Sequence, residues 1–185
     1  MLSNDDRREL LRLAREAIHQ RLTGGRAPAK PRLANPVLRA GAFVSLHLLG
    51  NLRGCIGHPA GDRLLAEVVA ECAVAAATED PRFPPLRPEE LAHAHLEISV
   101  LGPITPVSDV AEIEIGRHGL IVEQGYHRGL LLPQVATEHA WERDTFLAHT
   151  CLKAGLRADT WKSGVEIQKF EAEVFGEAAA SGPLA

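Results

Sequence analysis

Hydrophobic residues recur with the period of an α-helix in three stretches of the chain. The spacing predicts helices from about Ser3 to Leu22, from about Asp62 to Glu79, and from Thr137 to Ala154. Ser3 can cap the first helix together with Asp6, which lies three residues further on, and Gly24 can end it.

Alternating apolar residues and short apolar runs predict strands between these helices. The predicted strands cover residues 42–49, 96–101, 119–123, 129–135 and 165–175. Gly50-Asn51 is a hairpin turn signal that pairs the first strand with the segment from Leu52 onward. In the last strand the apolar parity changes between Ile167 and Phe170, which predicts a bulge near Lys169.

The order of these elements predicts an α+β fold. Strands and helices do not alternate regularly, and the turns favour antiparallel hairpins, so we expect an antiparallel sheet with packed helices. A chain of 185 residues fits one domain. We expect this domain to occupy residues 1–175, and the small-residue segment 176–185 to be a disordered tail.

Composition and charge narrow the classes of function. The net charge is −4 and aromatic residues make up 4% of the chain, which argues against a nucleic-acid binder. No apolar run is long enough to predict a membrane span, and the polar N-terminus does not look like a secretory signal. Three cysteines without such a signal indicate free thiols in a reducing cytoplasm.

The segment Leu52–Gly57 has the most unusual local sequence, because two glycines bracket Cys55 two residues after Arg53. In an extended segment Arg53 and Cys55 point to the same side, and a cation beside a thiol favours the reactive thiolate. Glycines also permit a ligand to approach the backbone closely. The alternative interpretation is a hairpin in which the glycines serve a bend and Cys55 fills a gap in the packing.

Cysteine and histidine spacing gives no strong metal signature. Cys55 and His58 have C-x-x-H spacing, while His93, His95 and Glu97 would share one face of a strand. Neither set is supported by a C-x-x-C pair or an H-E-x-x-H helix, so we predict no dedicated metal site. The chain has no nucleotide-binding loop pattern, and the sequence leaves the identity of any cofactor open.

The two remaining cysteines lie on apolar helix faces. Cys72 follows Val68 by four residues on the apolar stripe of the second helix, which indicates a core thiol. Cys151 follows Leu147 at the same spacing, but Lys153 lies nearby, so its role stays open.

The segment Leu52–Gly57 resembles the hallmark motif of the AMME-chromosomal-region (AMMECR) domain family. Further similar blocks follow in the family's order, so that the resemblance covers roughly residues 9–175. The blocks are Gly41–Val44, Ala75–Ala77, Asp80–Phe83, Leu96–Leu101, Arg128–Ala136, Trp141, Phe146-Leu147, Cys151, Lys153–Leu156 and Trp161.

This resemblance implies an α+β fold with two unequal subdomains and a cleft between them, with the hallmark motif near the cleft. It also implies association with a Memo-type protein and a radical-SAM protein, since bacterial and archaeal members are also called AmmeMemoRadiSam system protein A. The family supplies no reaction.

The resemblance places the candidate site on five motif residues and three others. The motif residues are Arg53, Gly54, Cys55, Ile56 and Gly57, and the others are His58, Glu97 and Gln134. His58 stands where many members carry a small hydroxyl residue, so a ligand contact at that position would differ here.

These features support two hypotheses of function from different classes. In the first, the chain is an enzyme or redox protein with Cys55 as nucleophile. Arg53 stabilises the thiolate or binds an anion, and Glu97 or His58 is the acid–base partner. The alternative is a non-catalytic module whose motif shapes a docking surface for a Memo-type partner or a small ligand. Metal binding through Cys55 and His58 is a third interpretation.

Overall fold

The computed structural model describes residues 2–177 and confirms the α+β fold, with five α-helices and antiparallel strand pairs in this range. The helices are α1 (Asn4–Thr23), α2 (Leu65–Thr78), α3 (Pro88–Leu91), α4 (Pro133–Glu138) and α5 (Arg143–Lys153). The strands are β1 (Ala42–Leu48), β2 (Asn51–His58), β3 (Ala94–Leu101), β4 (Thr105–Pro106), β5 (His118–Gln124), β6 (His127–Leu131) and β7 (Glu166–Gly176). None of the described helices is both long and apolar enough to span a lipid bilayer.

The described chain forms two compact units of unequal length. The first contains residues 2–100 and 173–177, and the second contains residues 101–172. The second unit is therefore an insertion in the sequence of the first. Its ends are close together, because the Gly102 amide donates to the Glu171 carbonyl at 2.8 Å.

In the first unit the strands follow the order β2–β1–β3, and helices cover one face of this sheet. β1 buries alternate side chains on that face, as its period-two pattern predicts, and α2 packs against both β1 and β2. The core joins these strand residues to the apolar faces of the helices. Its fully buried members include Leu10, Ile18, Val44, Leu46, Leu65, Val69, Leu96 and Ile98.

The sequence locates α1 closely because its end signals are local. The Ser3 hydroxyl accepts from the Asp6 amide, and the Asp6 carboxylate accepts from the Ser3 amide. Gly24 ends the helix in the left-handed conformation, with φ 69°.

A proline-containing arm, residues 24–36, follows α1 and runs back along it. Backbone amides of the arm donate to carboxylates on one face of α1. The pairs are Ala34 to Asp6 at 2.7 Å, Arg32 to Glu9 at 2.9 Å and Ala29 to Glu16 at 3.3 Å. These hydrogen bonds fix the path of the arm along α1.

The prediction that the second helix begins near Asp62 was wrong by three residues. Leu64 forms an isolated bridge with Arg39, and the Leu65 amide donates to the Leu38 carbonyl at 2.8 Å. These backbone groups are engaged by a distant segment, so the helical pattern begins only at Leu65.

In the second unit the strand order is β7–β5–β6, and β4 also pairs with β7. The predicted strand 129–135 ends at Leu131, because Pro133 starts α4. The single helix predicted between Thr137 and Ala154 is two helices. Ala140 has φ 52° and separates α4 from α5.

The prediction of a bulge near Lys169 was wrong, since β5 pairs with β7 without a register shift from Glu166 to Glu171. The parity change has another cause. Ile167 faces the core of the second unit, whereas Phe170 lies on the opposite face, over Gly119 of β5.

The ordered chain continues past the predicted domain end at residue 175. Gly176 belongs to β7, and the Glu177 amide donates to the Leu96 carbonyl at 3.0 Å. The rest of the predicted tail, residues 178–185, lies outside the described residues.

Candidate functional site

The motif occupies β2, the outer strand of the first unit's sheet. The β1–β2 register shifts between Leu46 and His47, which leaves Arg53 in a bulge and brings Cys55 opposite Ser45. Ser45 is also opposite Glu97 on β3. Residues directly opposite in neighbouring strands share a face, so Cys55, Ser45 and Glu97 form a row across the sheet, which we call the polar row.

The polar row lies on the face turned away from the helices. On both sides of Glu97, Leu96 and Ile98 are fully buried in the core, which confirms that Glu97 faces away from them. Ser45, Cys55 and Glu97 are all half-buried, and the Ser45 hydroxyl donates to Cys55 Sγ at 3.2 Å.

The motif glycines are explained by packing within the fold. A Cβ atom at Gly54 would overlap the carbonyl oxygen of Ala76 in α2, and a Cβ atom at Gly57 would overlap the ring of Phe43. Both glycines permit close contacts inside the protein, which gives them a packing role.

Asp80 and Arg82 hold the main chain of Cys55 from the open edge of the sheet. Asp80 Oδ2 accepts from the Cys55 amide at 2.9 Å, and Arg82 Nη2 donates to the Cys55 carbonyl at 3.3 Å. The two side chains pair with each other at 2.6 Å. We call Asp80 and Arg82 the edge clamp.

The edge clamp contains a buried carboxylate. The Arg82 hydrogen bonds, together with the amide of Cys55, lower the pKa of Asp80 well below its usual range, although burial acts in the opposite direction. Asp80 is therefore ionised at neutral pH and acts as a permanent acceptor for the motif strand.

Arg53, predicted to stabilise the thiolate or bind an anion, makes its hydrogen bonds to other groups. Its guanidinium donates to the carbonyls of Pro84 and Pro85 and pairs with Glu90 at 3.3 Å, so it ties the loop before α3 to β2. Burial raises the pKa of the Cys55 thiol; the Ser45 hydrogen bond and the positive charge of Arg82 only partly oppose this effect. The cation that acts on the pKa of Cys55 is thus Arg82, and the thiol is protonated at neutral pH.

Two other predicted site residues lie away from the polar row, and a third belongs to the second unit. Ile56 contacts the core on the helix side of β2. His58 is three residues from Cys55 in the same strand, so it projects to the opposite face, where its Nε2 is 2.7 Å from Asp62 Oδ1. Gln134 belongs to α4 of the second unit.

The proposed metal sets do not converge. Cys55 and His58 point to opposite faces, and His93 lies in an exposed turn before β3. Within residues 2–177, histidine, cysteine and acidic side chains form no group of three arranged to hold a metal ion.

Both remaining cysteines are core residues. Cys72 is buried beneath β1, and burial raises the pKa of its thiol to about 11. Cys151 is fully buried in the core of the second unit, and burial also raises the pKa of its thiol. This confirms the prediction for Cys72 and assigns Cys151 to packing.

Ser45, Asp80 and Arg82 are the site residues that sequence reasoning missed. Asp80 and Arg82 belong to the block Asp80–Phe83, which carries only the family resemblance in the sequence. Ser45 follows from the hairpin only when its register, including the bulge at Arg53, is known.

Comparisons with known proteins give the chain a family. Residues 11–175 match the family model AMMECR1. The chain belongs to the AMMECR1 family. The resemblance seen in the motif is therefore confirmed over nearly the whole sequence.

Similar family members come from archaea. Protein Mbar_A1807 of Methanosarcina barkeri is 43% identical, with 100% of this chain and 96% of that protein covered. Protein MK0488 of Methanopyrus kandleri is 46% identical, with 95% and 90% covered. The crystal structure of the uncharacterized protein PH0010 from Pyrococcus horikoshii superposes with a TM-score of 0.86 at 41% identity, covering 94% of this chain and 92% of that one.

Proposed function

We propose that this AMMECR1-family chain is a binding protein whose polar row takes a small ligand, with Cys55 acting as a protonated thiol. The observation that supports this most directly is the setting of Cys55. Burial raises the pKa of its thiol, while its amide and carbonyl are both held by the edge clamp. A rigid, uncharged thiol is suited to hydrogen bonding and packing rather than to nucleophilic attack.

The other members of the polar row define the chemistry of the ligand. Glu97 offers a half-buried carboxylate, which accepts hydrogen bonds, and the Ser45 hydroxyl can both donate and accept. A ligand carrying a protonated amine or another hydrogen-bond donor fits Glu97, with an apolar or polarisable part over Cys55.

Alkylation of Cys55 as a function of pH tests this proposal. Native protein is treated with iodoacetamide at pH 6 to 10, and mass spectrometry follows the Cys55 peptide, with a short unstructured peptide containing cysteine as reference. We expect Cys55 to react with an apparent pKa above the reference value of about 8.5. The buried Cys72 and Cys151 serve as internal controls for global opening.

A cysteine-dependent enzyme or redox protein is the competing function. The Ser45 hydrogen bond and Arg82 both favour the thiolate of Cys55, and these features support that function. Selective labelling at pH 7, with an apparent pKa below the reference, would replace the binding proposal with this one.

We also propose that the β1–β2 hairpin tip docks a Memo-type partner, and that a radical-SAM protein acts in the same system. Leu49 at the tip is 90% exposed and has φ 52°, and Leu52, the first residue of the motif segment, is also exposed. The left-handed conformation of Leu49 is strained, and its exposed side chain gains no packing that would compensate for the strain. Uncompensated backbone strain of this kind favours a binding role.

The partner proposal is tested by titrating the protein into purified Memo-type protein from the same organism in a calorimeter. Leu49→Asn relieves the backbone strain and removes the exposed leucine, so we expect a stable variant with at least about tenfold weaker binding. Val37→Asn, which removes another exposed apolar side chain, is the matched control. Equal affinity of the two variants would refute docking through the tip.

A further inference from the structure

A second concave site lies in the first unit, between α1, the arm and α3. Its volume is about 760 Å³, which is within the range of small-molecule pockets. The lining includes five apolar side chains, which are Ala27, Ala29, Pro88, Leu91 and Ala92. None of these residues belongs to the motif or to the edge clamp.

The floor of this cavity is held by Arg15 of α1. Its guanidinium donates to the carbonyls of Leu91 at 2.8 Å and Ala94 at 2.7 Å, and it pairs with Glu177 at 2.5 Å. Arg15 therefore fixes the end of α3 against α1, and Glu177 neutralises its charge.

The opposite wall is held by the arm. Glu16 accepts from the Ala29 amide at 3.3 Å, and Arg12 pairs with Glu16 at 2.7 Å. These contacts hold the arm along α1, and the cavity lies between the arm and α3. Arg12 also pairs with Glu9 at 2.9 Å, so it offsets only part of the negative charge of Glu16.

Two further polar groups, Arg26 and His19, line the cavity. Among residues 2–177, no carboxylate forms an ion pair with Arg26. His19 adds an imidazole to the lining, one helical turn after Arg15. The charge of Arg15 is cancelled by Glu177 and that of Glu16 is partly offset by Arg12, so the cavity presents an apolar wall with the positive charge of Arg26 at its rim.

We propose that this cavity binds a small organic anion with an apolar body. The anionic group pairs with Arg26 and accepts from His19, while the apolar body covers the alanine, proline and leucine side chains of the wall. The site is separate from the polar row, so it carries a ligand in addition to the one proposed there.

The probe for this site is 1-anilinonaphthalene-8-sulfonate, which joins an apolar ring system to a sulfonate and fluoresces when it leaves water. We expect saturable binding of one molecule per native chain at pH 7. Its uncharged counterpart, N-phenyl-1-naphthylamine, covers the same apolar wall but has no sulfonate to pair with Arg26.

Three variants distinguish this cavity from general surface binding. Arg26→Gln is expected to weaken binding of the sulfonate about fivefold and to leave binding of the uncharged probe unchanged. Ala27→Trp fills the cavity and is expected to abolish saturable binding of both probes. Arg21→Gln removes an exposed arginine of α1 outside the cavity and is the matched control.

Thermal melts of each variant confirm that it is folded. Equal sulfonate affinity in Arg26→Gln and Arg21→Gln, or unchanged binding in Ala27→Trp, would overturn the proposal. Cys55→Ser is expected to bind the probe normally. Probe binding therefore tests the cavity proposal alone, and the alkylation of Cys55 tests the proposed function.

Discussion

At the scale of single residues, Gly54 is constrained by the main chain of a neighbouring helix. The Ala76 carbonyl occupies the space that a Cβ atom at Gly54 would need. This carbonyl cannot move alone, because α2 is held by buried residues such as Leu65 and Val69. The packing of β2 on α2 therefore depends on the absence of one methyl group.

We predict that Gly54→Ala destabilises the protein by about 2–3 kcal/mol, since relieving the overlap requires β2 or α2 to shift. Urea denaturation followed by circular dichroism measures the change. Gly61→Ala is the control, because the nearest atom to a Cβ there lies at 3.8 Å and its φ is not positive. Equal stability of the two variants would show that β2 moves freely.

Leu49 gives a prediction of opposite sign. A two-residue turn with positive φ at both positions favours Asn-Gly, and here Leu49 precedes Gly50, which has φ 79°. We predict that Leu49→Asn raises the free energy of unfolding by about 0.5–1 kcal/mol. Urea titration of this variant beside Val37→Asn separates relief of strain from a simple gain in surface polarity.

The position of Cys55 shows what the sequence could not determine at this scale. A turn at Gly50-Asn51 would place Cys55 opposite Leu46, on the buried face. The actual turn uses Leu49-Gly50, which alone would place Cys55 opposite Val44, and the bulge at Arg53 moves the register back by one residue, so that Cys55 lies opposite Ser45. Both choices depend on packing of β2 against α2, which local sequence signals do not encode.

At the scale of elements, the edge clamp joins a loop to the strand that carries the motif. Asp80 follows α2, and its carboxylate is buried with the Cys55 amide and the Arg82 guanidinium as donors. An ionised carboxylate in this setting stabilises the fold only while it stays charged.

We predict that Asp80→Asn destabilises the protein by about 2–3 kcal/mol at pH 7, because one charge-assisted acceptor is lost at a buried position. The pKa of Asp80 is lowered in the folded state, so its contribution is complete above pH of about 4 and declines as the pH falls further. Urea titrations at pH 7, 5 and 3 compare the two proteins. The stability difference should be constant from pH 7 to 5 and smaller at pH 3.

Elements with local end signals were predicted well, and those shaped by distant contacts were not. α1 has its capping box and Gly24 in the sequence, so its bounds agree with the prediction within one residue. The start of α2 is set by a backbone hydrogen bond to Leu38, and the break at Ala140 lies in a pattern that reads as continuous helix. The clamp residues needed the same kind of non-local information.

At the scale of the whole molecule, the second unit is an insertion in the sequence of the first, and the two ends of the insertion lie next to each other. The hydrogen bond from Gly102 to Glu171 joins its two ends. Its core includes Phe146 and Leu147 and is formed by its own residues. Such an arrangement suits independent folding of the inserted segment.

We predict that a fragment of residues 101–172 folds alone, with a stability of about 3 kcal/mol because its core is small. Both tryptophans of the chain, Trp141 and Trp161, lie in this segment and report its unfolding by fluorescence. The control is Phe146→Ala in the same fragment, which should remove the cooperative transition. A fragment without a cooperative transition would contradict the prediction.

The edge clamp also bears on how separate molecules meet. β2 is the outer strand of its sheet, and an outer strand with open amides and carbonyls can recruit a strand from another chain. Asp80 and Arg82 occupy the amide and the carbonyl of Cys55 with charged groups, so an incoming strand finds no free pairing position there. The edge clamp thus prevents edge-to-edge pairing of β2 with another chain at Cys55, and so opposes aggregation through this edge.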